Sequence, residues 1–235
     1  MSITERLFRP LLRADPARPM VTYYDDSTGV RVELSRATMA NWASKTANWL
    51  RDELDVEAGT PVGVLLPTHW QAVGVLLGAW WCGASVRFDP AGTEVSFVAP
   101  GAQASGARTV AVASLDPMGR GLTEVAPGTL DYISEARVHG DDFLPYDEVP
   151  GDTPALGEST VDELLDAAAK RAAELGFTGQ DRVLSTVDWN TQAGVLDGLL
   201  AVLAGGASLV QCVNLDEGKL TARKDTEKIT RELRG

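Results

Sequence analysis

The chain has 235 residues, 44% of them hydrophobic and 23% charged, enough apolar material for a buried core and too much for a disordered polypeptide. Its 21 Lys and Arg stand against 33 Asp and Glu, and a net charge of −12 argues against nucleic acid as a partner, since gripping a phosphate backbone takes clustered cations. No apolar run approaches the roughly 20 residues that cross a bilayer, so no membrane association is expected.

The N-terminus, MSITERLFRPLLRADPARP, mixes charges into its apolar residues and is not a secretory signal. Cys82 and Cys212 each lie in an apolar stretch without metal or disulfide spacing, and His69 and His139 are far apart in sequence. Buried free thiols in a cytoplasmic protein are the expectation.

Residues 3–14 place Ile3, Leu7, Leu11 and Leu12 for a short amphipathic helix that Pro16 and Pro19 follow. Segments 20–26 and 30–34 read as a β-hairpin, and Ser35 caps a helix with Met39, Trp42, Ala43, Thr46, Ala47, Leu50 and Leu54 on one face. A continuous apolar strand over 62–67, a helix over 70–81 broken by Gly83, and a return strand over 84–90 make a βαβ unit. Residues 109–114 add a strand. Residues 116–157, rich in Gly, Pro and Asp, read as irregular surface with one short strand or helix.

From Ser159 the periodicity returns. A Ser-capped helix buries Val161, Leu164, Leu165, Ala168 and Ala172, and segments 182–187, 195–206 and 207–212 repeat the strand–helix–strand order. The charged end, LTARKDTEKITRELRG, reads as a helix or tail. The fold class is therefore α/β, with mostly parallel sheets flanked by helices. It forms one domain with two similar βαβ-containing lobes, about 1–115 and 155–235.

In this order the segments resemble the opening of adenylate-forming enzymes, the family of acyl-CoA synthetases, luciferases and nonribosomal adenylation domains. Ser35 starts a helix that closes with Ala47 and Leu50. Gly59, Thr60 and Val62 match a Gly-Asp-x-Val turn, and Gly83-Ala84 precedes a strand ending Asp89-Pro90. GQDRVLSTVDWNTQAGVLDGLLAVLAGGASLV resembles the family's second Gly-Asp-Arg-Val strand and its following helix. The match leaves out residues 95–150 and extends to a short uncharacterised family of actinobacterial type.

The resemblance also implies residues this chain does not carry. A Ser/Thr/Gly-rich phosphate loop ending Pro-Lys-Gly belongs before the helix at Ser159, where GDTPALGEST (151–160) has no lysine and two glycines. A phosphate cradle needs free backbone N–H groups and a cation, and Asp152 and Glu158 would repel a triphosphate. Asn190 stands where the resemblance implies an acyl-pocket histidine. The sequence ends at Gly235, ahead of the family's adenine-binding motif, ribose-binding aspartate and C-terminal catalytic lysine.

Ligands in open parallel sheets lie beyond the carboxyl ends of strands. His69 and Trp70 follow one strand, and Asp188, Trp189 and Asn190 follow its counterpart, so these five are the candidate ligand-binding residues. No catalytic residue, metal site or cofactor is expected. Trp80 and Trp81 diverge by about 100° on a helix, so one needs cover from another element or a second subunit, and a homodimer is expected. The expected function is a non-catalytic binding or interaction module. The alternatives are a protein binding a small acyl or nucleotide ligand, and one half of a two-chain AMP-forming ligase.

Overall fold

A π-helical turn at Thr4–Phe8 runs into α1 (Arg9–Ala14), and the hairpin of β1 (Pro19–Asp25) and β2 (Val30–Ser35) follows in a computed structural model that describes all 235 residues. Ser35 caps α2 (Arg36–Leu54), its Oγ accepting from the Thr38 N–H at 3.1 Å. Next come β3 (Pro61–Leu65), α3 (Trp70–Trp81) and β4 (Ser85–Arg87), with Val62 opposite Val86 in parallel register. Every residue of α3 is buried, which is why its sequence shows no polar face.

The chain continues through β5 (Val95–Val98), β6 (Thr109–Val112), β7 (Leu130–Asp131), α4 (Tyr132–Arg137), β8 (Pro154–Leu156) and β9 (Ser159–Thr160). Then α5 (Val161–Leu175) leads to the second unit: β10 (Arg182–Ser185), a helix built from α6 (Gln192–Val195), a π-helical stretch Leu196–Leu200 and α7 (Ala201–Ala204), and β11 (Ser208–Val213). Val183 and Leu209 face each other in parallel register there. α8 (Glu217–Glu227) and β12 (Arg231–Leu233) close the chain.

Two mixed, mostly parallel sheets result, ordered β12-β10-β11-β1-β2 and β7-β6-β5-β3-β4-β8-β9, with only the β1/β2 and β8/β9 pairs antiparallel. One apolar core runs through both. The sheets do not follow the division of the chain into 1–115 and 155–235. The N-terminal hairpin docks on β11, Val21 opposite Leu209, and the 154–160 hairpin docks on β4, Leu156 opposite Val86. No helix is long and apolar enough to cross a membrane.

Three local readings need correcting and a fourth is extended. Residues 116–157 hold β7, α4 and β8 rather than a single short element. β5 went unread because its four residues are buried on both faces and carry no period, yet it lies between β3 and β6. Thr160, not Ser159, caps α5, because Glu163 reaches back to the Thr160 N–H and completes a capping box. The charged end forms the expected helix, α8, and then adds β12, held against β10 and burying only Leu233.

Both Trp80 and Trp81 are buried within this chain. Trp80 donates its Nε1–H to the Ala155 carbonyl at 2.8 Å, while Trp81 packs on Phe143. The segment beyond α4 thus supplies the cover from another element. Trp80→Phe should keep the ring volume close but strand the Ala155 carbonyl. It is expected to lower unfolding free energy by about 2 kcal/mol in urea denaturation.

Candidate functional site

β1, β10 and β11 run parallel, so their carboxyl ends emerge together at Asp25, Asp188 and Asn214. The carboxyl ends of β3 and β6 emerge at Thr68–His69 and Leu115. All five ends converge on a cleft of about 480 Å³ between the sheets, where ligands of open parallel sheets sit.

Thr68 ties the two sides together. Its hydroxyl donates to Asp188 Oδ1 at 3.2 Å and accepts the Trp189 N–H at 3.0 Å. The Asp188–Trp189 turn then lies against two glycines one helical turn apart. A Cβ on Gly194 would meet the Asp188 carbonyl oxygen at 2.0 Å, and one on Gly198 would meet Trp189 Nε1 at 2.6 Å. Only glycine permits that approach.

His69 caps α3 through Nδ1, which accepts the Gln71 N–H at 3.2 Å. The neutral ring therefore carries its proton on Nε2. The residue is 4% exposed and lines the cleft, its ring edge-on to Tyr23 at 4.7 Å, and Nε2 has no protein partner. Burial pushes the imidazole down from 6.5 to about 4, against the opposing pull of Asp116 and Asp25. It is neutral at pH 7. Burial also raises the Asp25 carboxyl, but hydrogen bonds from Asn214 and Ser27 outweigh that and hold it below the ordinary range.

The rim is strained in one place. Leu115 is left-handed at φ 56°, held by its N–H to Gln71 Oε1 at 3.2 Å, a conformation apolar residues rarely adopt. Asn214 is also left-handed, at φ 50°, which asparagine tolerates, and its Nδ2 donates to Asp25 Oδ1 at 2.9 Å.

Of the five residues proposed from sequence, His69 and Asp188 line this cleft. Trp70 lies behind it, packed on Trp42 with Nε1–H on the Pro117 carbonyl. Trp189 is buried over Gly198, and Asn190 is exposed away from the lining. Tyr23, Asp25 and Asn214 were missed because their place depends on β1 pairing with β11 across most of the chain length, and Leu115 because it follows β6 of the other sheet and is held by Gln71. No group of His, Cys, Asp and Glu converges to hold a metal ion.

The segment 151–160 is not a loop but the β8/β9 hairpin. Amides of this hairpin and of the first turn of α5 bond within the protein: Thr153 to the Pro150 carbonyl, Gly157 to Val86, Val161 to Thr153 and Asp162 to Gly151. Thr160 and Glu163 bond each other in the capping box.

No family model matches the chain. A Mycobacterium tuberculosis (strain H37Rv) protein described as a TIGR03089 family protein is 45% identical over 241 residues, covering 99% of this chain and 98% of that one. The chain belongs to the TIGR03089 family. Its fold is that of the N-terminal domain of acyl-CoA synthetases. An acyl-CoA synthetase from Brucella canis superposes with a TM-score of 0.79 at 15% identity over 100% of this chain. The N-terminal domain of FACL13 from M. tuberculosis superposes at 0.69 with 19% identity over 99% of it. This TIGR03089 protein spans 47% of the first structure's chain and 62% of the second's.

Two outcomes check the site. His69 protonates in the unfolded chain near 6.5 and in the native one near 4. Its contribution is therefore complete above pH 6.5 and shrinks as pH falls toward 4, by roughly 3 kcal/mol in all. His69→Asn, which retains an N-cap oxygen, should show a flatter loss across that window in denaturant titrations at stepped pH. Gly194→Ala, which would stabilise an unobstructed helix, should instead lower the unfolding free energy by about 1–3 kcal/mol, measured the same way.

Proposed function

We propose that this TIGR03089 protein is a small-molecule-binding module that keeps the acyl-CoA synthetase N-terminal fold without the means to grip a nucleoside triphosphate. The cleft at the carboxyl ends of β1, β3, β6, β10 and β11 is its ligand site. Acyl adenylation is not its activity.

One observation carries this reading. Where a phosphate loop would need free amides and a cation, the chain has a hairpin and helix start whose Gly157, Val161 and Asp162 amides are bonded to carbonyls. The helix it feeds has its N-terminus closed by Thr160 and Glu163, which place a carboxylate where a phosphate would need to approach. Asp152 and Glu158 add two further negative charges without a lysine.

Isothermal titration with ATP·Mg should give no saturable heat, so that any dissociation constant is weaker than about 1 mM. ATP–pyrophosphate exchange over a panel of carboxylic acids should stay at background. Saturable ATP binding with carboxylate-dependent exchange would refute the reading.

A further inference from the structure

The ionisable groups that line the cleft are Asp25, Asp188, Tyr23 and His69, and no Lys or Arg joins them. Asp25 is oriented by Asn214 Nδ2 and by the Ser27 amide at 3.0 Å, and Asp188 by the Thr68 hydroxyl. Both carboxylates are thus held in place before any ligand arrives, and pre-orientation is what makes a charge-assisted hydrogen bond selective. An anion entering here would meet two fixed negative charges and no counter-charge.

His69 adds an independent observation. A side chain more than nine-tenths buried presents an unpartnered Nε2–H to the cleft, since its Nδ1 is used by the Gln71 amide. A donor so placed calls for an acceptor oxygen on whatever enters. The Tyr23 hydroxyl, also without a hydrogen-bond partner in the protein, lies on the same wall. Val30, Pro67, Leu115 and Val213 supply apolar surface around these polar groups.

We propose that the cleft binds a small organic cation of the amino-alcohol class. Its ammonium sits between Asp25 and Asp188, its hydroxyl oxygen accepts from His69 Nε2–H, and its hydrocarbon portion lies on Leu115 and Val213. This rests on reading the cleft as a ligand site and goes further by assigning the ligand's charge and its one acceptor.

Four probes of matched size separate the contributions: phenylalaninol, 2-phenylethylamine, 3-phenylpropan-1-ol and 3-phenylpropanoate, titrated calorimetrically into the whole chain. Binding at the cleft is located by the His69 imidazole proton resonances in a His139→Gln background, where one histidine remains. Phenylalaninol should bind tightest, the amine next, the alcohol weakly and the carboxylate not at all. Asp188 is exposed, and Asp188→Asn keeps the oxygen that meets Thr68 while removing the charge. It should weaken phenylalaninol by about tenfold or more while leaving the alcohol unchanged. His69→Asn should narrow the gap between phenylalaninol and 2-phenylethylamine.

Equal binding of alcohol and amine, or indifference of phenylalaninol to Asp188→Asn, would overturn the cation assignment and leave the cleft a ligand site. Preference for the carboxylate, or no response to any of the four, would overturn it as well. The ATP·Mg titration fails or succeeds separately, so loss of the broader reading is not confused with loss of this one.

Discussion

Thr68 belongs to the seven-stranded sheet's connection and Asp188 to the five-stranded sheet's, and a single hydroxyl between them holds the two carboxyl-terminal edges in register. A hydroxyl suits this task because it donates and accepts at once, so one side chain satisfies both a carboxylate and a buried amide. The cleft exists because the sheets meet there at a fixed separation. His69, next in sequence, is locked by the helix it caps, and Asp188 is locked by two glycines that admit the turn against a helix.

Sheet composition explains why such a short chain closes around both faces. Each sheet is completed by a hairpin: β1/β2, from the opposite end of the sequence, completes the sheet of β10–β12, and β8/β9 completes that of β3–β7. Completion of this kind places long-range pairings at the heart of the domain. It also turns the stretch where relatives of the fold class are expected to hold phosphate into an edge hairpin, with Ala155 anchored by the Trp80 indole. Amides spent on sheet pairing are lost to ligand binding. The pairing of these amides and the cover for α3 are then consequences of one structural choice.

On one face of the five-stranded sheet, α8 is fastened by charge as well as by the apolar contact of Leu220. Buried Glu227 accepts from the Tyr24 hydroxyl at 2.6 Å and the Arg31 Nε–H at 2.9 Å, and pairs with Arg182. Burial alone would raise its carboxyl, but those partners hold it at about 2. A helix that looks like a solvated tail by composition is thereby part of the body.

Local pattern was enough for the strand–helix–strand units, for the N-terminal hairpin, and for the buried faces of α2 and α5, because those features follow from side-chain period and capping within a dozen or so residues. It was enough also to place His69 and Asp188 at corresponding strand ends. Strands β5, β8 and β12 were beyond its reach: each is three or four residues long, too short to display a period, and stabilised by neighbours distant in sequence. The rest of the cleft was decided in three dimensions. Tyr23 and Asp25 reach it only because β1 pairs in parallel with β11, nearly 190 residues away. Asn190 and the two tryptophans next to the site, alike in sequence to its true lining, turn outward or into the core. Which side of a turn faces a cavity is set by packing against glycines and hydroxyls elsewhere in the chain, and no local pattern encodes it.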